Sequence, residues 1–171
     1  MAKYDIYFAG PLFNEEEKAF NLELTGKLEA MGLKVFLPQR DGLEFAKLNG
    51  MAPNKRNQEI FKLDAGNVEG SPVIIAVLDG AVPDDGTTVE IAIAREFTRR
   101  TGEKKLVLGL KSDDRIWEEG SKLNPMLVGS VDHLFDSSAT LLAYVKTHLR
   151  EIKAVAARAP VAARTPVAHT L

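Results

Sequence analysis

The sequence has no cysteine, so disulfides, thiolate metal sites and cysteine nucleophiles are all excluded. It has three histidines, His133, His148 and His169, and their spacing matches no metal-binding pattern. No motif for nicotinamide, flavin or metal is recognisable, and we expect neither a cofactor nor a metal ion.

An excess of positive charge is also missing. Lysine and arginine number 22 against 24 aspartates and glutamates, which gives no electrostatic reason to expect a nucleic-acid or membrane partner. No window approaches the roughly 18 consecutive apolar residues of a membrane-spanning helix. The N-terminus reaches Asp5 without the apolar stretch of a secretory signal. These absences predict a cytoplasmic protein.

Two glycine-rich phosphate-binding motifs are absent as well. The loop after the first predicted strand reads Ala9-Gly-Pro-Leu-Phe-Asn14, where a dinucleotide-binding protein would carry G-x-G-x-x-G. The chain also lacks the Gly-Lys-Ser or Gly-Lys-Thr of a P-loop. Nicotinamide, flavin and P-loop functions therefore lose their main support.

What is present is the composition of an ordinary globular domain. The chain has 171 residues, of which 45% are hydrophobic and 27% charged. This length and composition predict one domain over residues 1–156. The remaining residues, 157–171, contain two similar six-residue segments, each with a proline that cannot continue a helix. We expect this tail to be mobile or ordered only against a neighbouring subunit.

Strand and helix patterns alternate along the domain. Strands are predicted at residues 4–9, 33–37, 73–78, 106–110 and 131–135. Helices are predicted from Asn14 to Gly32, at 55–68, at 87–100 with Val89, Ile93 and Phe97 on one face, and as one helix at 138–155. Residues 39–54 show no clear period. The alternation predicts a doubly wound α/β fold with a mostly parallel five-stranded sheet and helices on both faces.

Carboxylates are the main candidate reactive groups near the predicted sheet edge. In Asp84-Asp-Gly-Thr-Thr-Val-Glu90, Thr87 and Glu90 fit a capping box, with Asp84 and Asp85 in the preceding turn. A carboxylate in the first turn would instead be held ionised by the helix dipole, which suits a nucleophile. Both interpretations of Glu90 stay open on pattern alone.

Three more residues stand out, each with an ordinary structural explanation. Asp64 lies on a polar helix, where a solvated residue is the usual outcome. Tyr7 is central in the first strand, where it either packs in the core or gives its hydroxyl to a nearby carboxylate. Asn124 precedes Pro125 and fits a helix N-cap.

Together these segments resemble the nucleoside 2-deoxyribosyltransferase family. The resemblance covers about residues 4–136 and rests on Ile6-Tyr-Phe-Ala-Gly10, Asp64, Asp84-Asp-Gly-Thr-Thr-Val-Glu90 and Asn124-Pro-Met126, in that order. It implies that a 2-deoxyribosyl group passes between the bases of 2′-deoxynucleosides and free nucleobases, through a covalent ester on the Glu90 carboxylate with retention of configuration.

The resemblance also implies roles for individual residues. Asp64 and Asp84 would handle the nucleobase, and Tyr7 would orient Glu90. The other positions that match substrate-contacting residues are Gly10, Phe13, Asp85, Asn124 and Met126. In relatives Asn124 and Met126 would lie near a neighbouring subunit's site, which implies a homo-oligomer built from dimers, often a hexamer.

Two other functions stay open. A 2′-deoxynucleoside 5′-monophosphate N-glycosidase would need serine and arginine in the loop after the first strand to neutralise a phosphate, and Ala9-Gly-Pro-Leu-Phe13 has neither. A non-catalytic nucleotide-binding module would use Glu90 only as a helix cap.

Overall fold

A parallel five-stranded sheet forms the centre of the protein. The computed structural model describes residues 3–43, 48–115 and 122–158. The strands are β1 (Ile6–Ala9), β2 (Val35–Phe36), β3 (Val73–Val77), β4 (Leu106–Leu110) and β5 (His133–Phe135). They are arranged in the order β2-β1-β3-β4-β5, and every paired neighbour runs parallel. The predicted doubly wound α/β fold is confirmed.

Helices cover both faces of the sheet, as the apolar strands without alternation predicted. They are α1 (Glu15–Glu29), α2 (Pro38–Asp41), α3 (Pro53–Gly70), α4 (Asp85–Thr101), α5 (Pro125–Val128), α6 (Ser138–Thr147) and α7 (Leu149–Arg158). Residues of α1, α6 and α7 pack on one face around Phe8 and Ile75. Residues of α3 and α4 pack on the other face around Tyr7 and Ile74. Among the described residues, no helix combines the length and apolar character needed to span a membrane.

The chain order places a crevice at one edge of the sheet. From β1 the chain first moves outward to β2 and later returns to the other side of β1 as β3. Tyr7 pairs with Phe36 on one side and with Ile74 on the other. The carboxyl ends of β1 and β3 therefore meet at a topological switch point, where ligands bind in open α/β sheets.

Helix α1 begins where the sequence predicted. Asn14 accepts a hydrogen bond from Glu17 N, and Glu17 closes a capping box by accepting from Asn14 N. Leu24 and Leu28 are buried against the sheet. This local agreement is expected, because capping depends on residues that are close in sequence.

Several predicted boundaries were wrong. Strand β2 covers two residues instead of 33–37, and part of the segment predicted as irregular forms the short helix α2. The predicted single C-terminal helix is two helices joined at His148, whose ψ of 15° departs from helical geometry. Residues 157 and 158 belong to α7, and the rest of the predicted tail lies outside the described residues.

Candidate active site

A hydrogen bond between Tyr7 and Glu90 is the centre of the candidate site. The Tyr7 hydroxyl donates to Glu90 Oε1 at 2.5 Å, joining β1 to α4. The Tyr7 ring has no exposed surface and stacks on Phe36, with 5.4 Å between ring centroids. Because the ring is fixed by packing, its hydroxyl is a rigid donor, and it leaves Glu90 Oε2 available for other chemistry.

Helix α4 starts one turn earlier than predicted. Its N-cap is Asp84, whose Oδ2 accepts from Thr87 N at 2.8 Å and from Thr87 Oγ1 at 3.1 Å. Aspartate is at least as good an N-cap as threonine, so capping by Asp84 is favourable. The predicted capping box between Thr87 and Glu90 is therefore wrong, and so is the placement of Asp84 and Asp85 in a preceding turn.

The earlier start explains how α4 presents Glu90. The buried residues of α4 are Thr87, Ile91, Ala94 and Phe97, whereas Val89 is 51% exposed. Of the predicted stripe, Val89 was wrong, whereas Ile93 packs against the core and Phe97 is buried. Glu90 is three residues after Thr87 and four before Ala94, so it lies beside the buried stripe and faces the sheet.

Asp64 reaches the same place from α3. Its side chain is half-buried, and burial raises the pKa of this carboxyl to about 6. Its charge raises the pKa of both Tyr7 and Glu90, which places the three groups in one electrostatic cluster. The expectation of an ordinary solvated Asp64 was wrong, because the side chain lies on the helix face that turns toward the sheet.

Burial dominates the electrostatics of Glu90. Burial raises the pKa of Glu90 to about 8, the Tyr7 hydrogen bond opposes that rise, and the charges of Asp64 and Asp84 add to it. Glu90 is the sixth residue of α4, beyond the first turn in which a helix dipole acts strongly. The expectation that the dipole holds Glu90 ionised was therefore wrong. Burial also raises the pKa of Tyr7, so its hydroxyl keeps its proton.

The loop after β1 approaches the end of β3 closely. A Cβ atom added to Gly10 would lie 3.2 Å from Val77 Cβ, so a larger residue would push this loop away from the switch point. Phe13 follows in the same loop with 74% of its surface exposed. Glycine thus fixes the path of the loop, and Phe13 is presented outward.

Asn124 and Met126 are on a separate element. Asn124 caps α5 by accepting from Met126 N at 2.9 Å, as the sequence predicted. Met126 is 79% exposed, and Leu123 and Leu127 anchor the segment in the core beside α3 and α4. Asp85 is exposed at the start of α4. The structure therefore brings Tyr7, Glu90 and Asp64 together and leaves Phe13, Asp85 and Met126 facing outward.

A cavity of about 360 Å³ lies at the same sheet edge, on the α1 face. Pro11, Asn21, Asp79, Gly80 and Arg115 contribute to its wall. Asn21 is buried and donates to the Pro11 carbonyl at 2.8 Å, which holds the loop after β1 in place. The sequence analysis missed Asn21, although a polar residue within an apolar helical stripe was a usable signal.

A second group missed from the sequence connects the ends of β3 and β4. Lys111 is only 2% exposed, and its Nζ lies 2.6 Å from Asp113 Oδ1. The charged segment Lys111-Ser-Asp113 follows an apolar strand directly, and that pattern could have indicated it. No group of three histidine or acidic side chains suited to a metal ion occurs in residues 3–43, 48–115 and 122–158.

Comparisons with known proteins agree with the fold. The sequence profile of the family described as nucleoside 2-deoxyribosyltransferase matches residues 6–126. No curated protein matches the sequence.

Three solved structures have similar folds. A conserved protein from Enterococcus faecalis V583 is 26% identical, with a TM-score of 0.68, and the match covers 84% of this chain and 97% of that one. A 2-deoxyribosyltransferase from Bacillus psychrosaccharolyticus is 20% identical over 81% of this chain and 90% of its own, with a TM-score of 0.63. A 2-deoxyribosyltransferase from Leishmania mexicana is 22% identical over 84% and 97%, with a TM-score of 0.52. Because the last two proteins are less than 25% identical to this chain, their likeness shows the fold alone.

Proposed function

The chain belongs to the nucleoside 2-deoxyribosyltransferase family, and on that basis we propose that it transfers a 2-deoxyribosyl group from a 2′-deoxynucleoside to a free nucleobase. The observation that carries the proposal is the half-buried Glu90 carboxyl, held on one oxygen by Tyr7 and close to a second acid, Asp64. A nucleophile fixed by a donor, with an acid beside it, is what double displacement at a sugar carbon requires.

In the first half-reaction Glu90 Oε2 attacks the anomeric carbon as the bond to the base breaks. The electron pair of the broken bond goes to the departing base nitrogen, which takes a proton from Asp64, and the sugar becomes an ester of Glu90. Tyr7 continues to donate to Oε1, which offsets charge on the carboxylate before attack. The nearby carboxylate also stabilises the positive charge that develops on the sugar ring.

In the second half-reaction an incoming base attacks the same carbon. Its nitrogen forms the new bond, Asp64 accepts its proton, and the ester bond to Glu90 breaks. Two inversions at one carbon give overall retention of configuration. The reaction therefore needs no metal or organic cofactor, since the three side chains supply the nucleophile, the donor and the acid.

Proton placement decides when the site is active. The pKa of Asp64 is about 6 and that of Glu90 about 8, so the pair shares a single proton near neutral pH. The reactive arrangement has that proton on Asp64 and leaves Glu90 ionised. Substrate binding must favour this arrangement, and hydrogen bonding of the base to a protonated Asp64 provides the means.

We also propose that the working form is a homo-oligomer in which Asn124 and Met126 approach a neighbouring subunit's substrate. Met126 and Val82 are about four-fifths exposed, at 79% and 81%, and Phe13 is 74% exposed. Large apolar side chains exposed on separate elements around one site are typical of a surface that another chain covers. Phe13, Asp85 and Gly10 would complete the substrate contacts within the subunit.

A two-substrate assay tests the reaction. The protein is incubated with deoxyinosine, with and without adenine, and the products are separated. Formation of deoxyadenosine only when adenine is present supports transfer. Hypoxanthine release that does not depend on adenine, with no deoxyadenosine, would show hydrolysis and contradict the proposal.

The covalent step has a direct test. Protein quenched during turnover is digested and searched by mass spectrometry for a deoxyribosyl adduct on the peptide that contains Glu90. The same search on the Glu90→Gln variant is the control, and an adduct on any other residue would overturn the assignment of the nucleophile.

A further inference from the structure

Lys111 and Asp113 form a clamp on the backbone of Gly80, in the loop that leads to α4. Lys111 Nζ donates to the Gly80 carbonyl at 2.9 Å, and Gly80 N donates to Asp113 Oδ2 at 2.6 Å. The ion pair between Lys111 and Asp113 closes the ring at 2.6 Å. Both polar groups of one peptide residue are thus held by the loop that follows β4.

The contact is reciprocal. Asp79 Oδ1 accepts from Asp113 N at 3.1 Å, and Asp79 Oδ2 accepts from Ser112 Oγ at 2.6 Å. Burial alone would raise the pKa of Asp113, but hydrogen bonds from Lys111, Gly80 N and Arg115 lower it below its usual range. The carboxylate of Asp113 therefore stays charged and keeps its hold on the turn.

The clamped turn leads directly to the site. Gly80 has a φ of 111°, a conformation that side-chain-bearing residues rarely adopt, and four residues later Asp84 begins α4. In the loop between Gly80 and Asp84, Ala81 and Val82 are exposed. The clamp is thus the fixed point from which the loop delivers Asp84 and the start of the helix that carries Glu90.

Resting on the proposed function, we propose that Lys111 and Asp113 are positioning residues that act through the Gly80 turn to set the placement of Asp84 and Glu90 for transfer. The chain offers a matched control. Lys105 is also buried, at 4% exposure, and donates from Nζ to the carbonyls of Glu69 and Ser71. It precedes β4, whereas Lys111 follows β4, so the two buried lysines lie at opposite edges of the sheet.

The test compares the variants Lys111→Met/Asp113→Asn and Lys105→Met. The double variant removes both charges of the clamp together, so no unpaired buried charge is left to destabilise the fold. We expect the double variant to stay folded, with a melting temperature no lower than that of Lys105→Met, while kcat falls about tenfold or more, because small misplacements of catalytic groups are costly. Lys105→Met should lower the melting temperature and leave kcat of the folded protein unchanged.

A wild-type kcat in a folded double variant would overturn the proposal, as would an equal loss of kcat in Lys105→Met. If the double variant does not fold, Lys111→Met is measured with the same expectation and the same overturning result, because Asp113 then keeps Gly80 N and Arg115 as partners. Hydrogen exchange at Gly80 and Thr87 gives a readout that needs no turnover. Faster exchange is expected in the clamp variant alone, and unchanged exchange contradicts the clamp even if the wild type proves to have no transferase activity.

Discussion

At the residue scale, the oxygen atoms of Glu90 have different roles. Oε1 accepts from Tyr7, whereas Oε2 is the atom proposed to attack the sugar. Glutamine can accept the same Tyr7 hydrogen bond through its amide oxygen but is a very poor nucleophile. Substituting Glu90 therefore separates the structural contribution of the side chain from its chemistry.

The first prediction concerns this substitution. We expect Glu90→Gln to fold normally and to lose activity by about three orders of magnitude or more, as is found when other nucleophiles are deleted. Steady-state transfer assays measure the rate, and circular dichroism checks the fold. Val89→Ala, which changes an exposed neighbour on the same helix, is the control. Transfer by folded Glu90→Gln at a rate close to wild type would exclude Glu90 as nucleophile.

The second prediction concerns pH. Because the reactive state holds one proton on the Asp64 and Glu90 pair, kcat/KM should be bell-shaped, with limbs near the pKa values of about 6 and about 8. Asp64→Asn should lower the rate and remove the alkaline fall, since no acid then remains to lose its proton. A pH profile that stays flat between pH 5 and 9 would contradict this proton assignment.

The third prediction concerns how the buried carboxyl of Glu90 makes stability depend on pH. The folded protein holds a proton on Glu90 up to about pH 8, because burial raises its pKa, whereas the unfolded chain releases that proton near the ordinary pKa of 4.5. The free energy of unfolding should therefore decrease as pH rises between those two values. At pH 8 to 9, Glu90→Gln should be more stable than the wild type by about 4 to 5 kcal/mol, and below pH 4.5 the difference should vanish. Urea unfolding at several pH values measures it, and equal stability at pH 9 would show that Glu90 ionises as readily in the folded protein as in the unfolded chain.

At the element scale, the start of α4 links stability to the site. Asp84 caps the helix with the same carboxylate that is proposed to contact the base. Asparagine caps helices about as well as aspartate, because its side-chain oxygen also accepts from the N3 amide. One substitution can therefore keep the cap and remove the charge.

The fourth prediction uses this difference. We expect Asp84→Asn to keep its melting temperature and lose activity, whereas Asp84→Ala should lose activity and also about 1 kcal/mol of stability. Thermal unfolding and transfer assays on the two variants separate the effects. Full activity in Asp84→Asn would limit Asp84 to capping.

Elements that depend on neighbouring residues were predictable, and elements that depend on distant contacts were not. The cap at Asn14 and the apolar strand at Val73 follow from short patterns. In contrast, the start of α4 was misplaced, because Thr87 and Glu90 match a capping box whereas Asp84 supplies the cap. The break at His148 leaves no clear local signal, since the stripe through Leu141 and Ile152 continues across it.

In the candidate site too, features set by nearby residues were predictable and features set by distant contacts were not. A carboxylate partner for Tyr7 was one of two outcomes consistent with a buried tyrosine, and the resemblance to a family favoured Glu90. The pKa of Glu90 could not be anticipated, since burial between β1, α3 and α4 arises only in the folded chain. The Gly80 clamp joins residues 31 positions apart, a separation that no local pattern encodes.

At the scale of the whole molecule, the proposed homo-oligomer would complete each site with residues of a second chain. Met126 and Phe13 are each highly exposed, at 79% and 74%, and Asn124 caps a short helix that packs beside α3 and α4. Because isologous contacts are reciprocal, each subunit of a dimer would give its Asn124 to the partner's site and receive one in return.

The fifth prediction uses that reciprocity. Glu90→Gln and Asn124→Ala should each be inactive or nearly so as homo-oligomers, because every site lacks one group. Subunits of the two variants, mixed and allowed to exchange, form hybrids with one intact site, so activity should recover to about a quarter of the wild-type value for random pairing in dimers. Transfer assays before and after exchange measure the recovery, and mixing either variant with itself is the control. If exchange is shown by mass spectrometry and activity stays at the level of the separate variants, Asn124 acts within its own subunit and the shared-site arrangement is wrong.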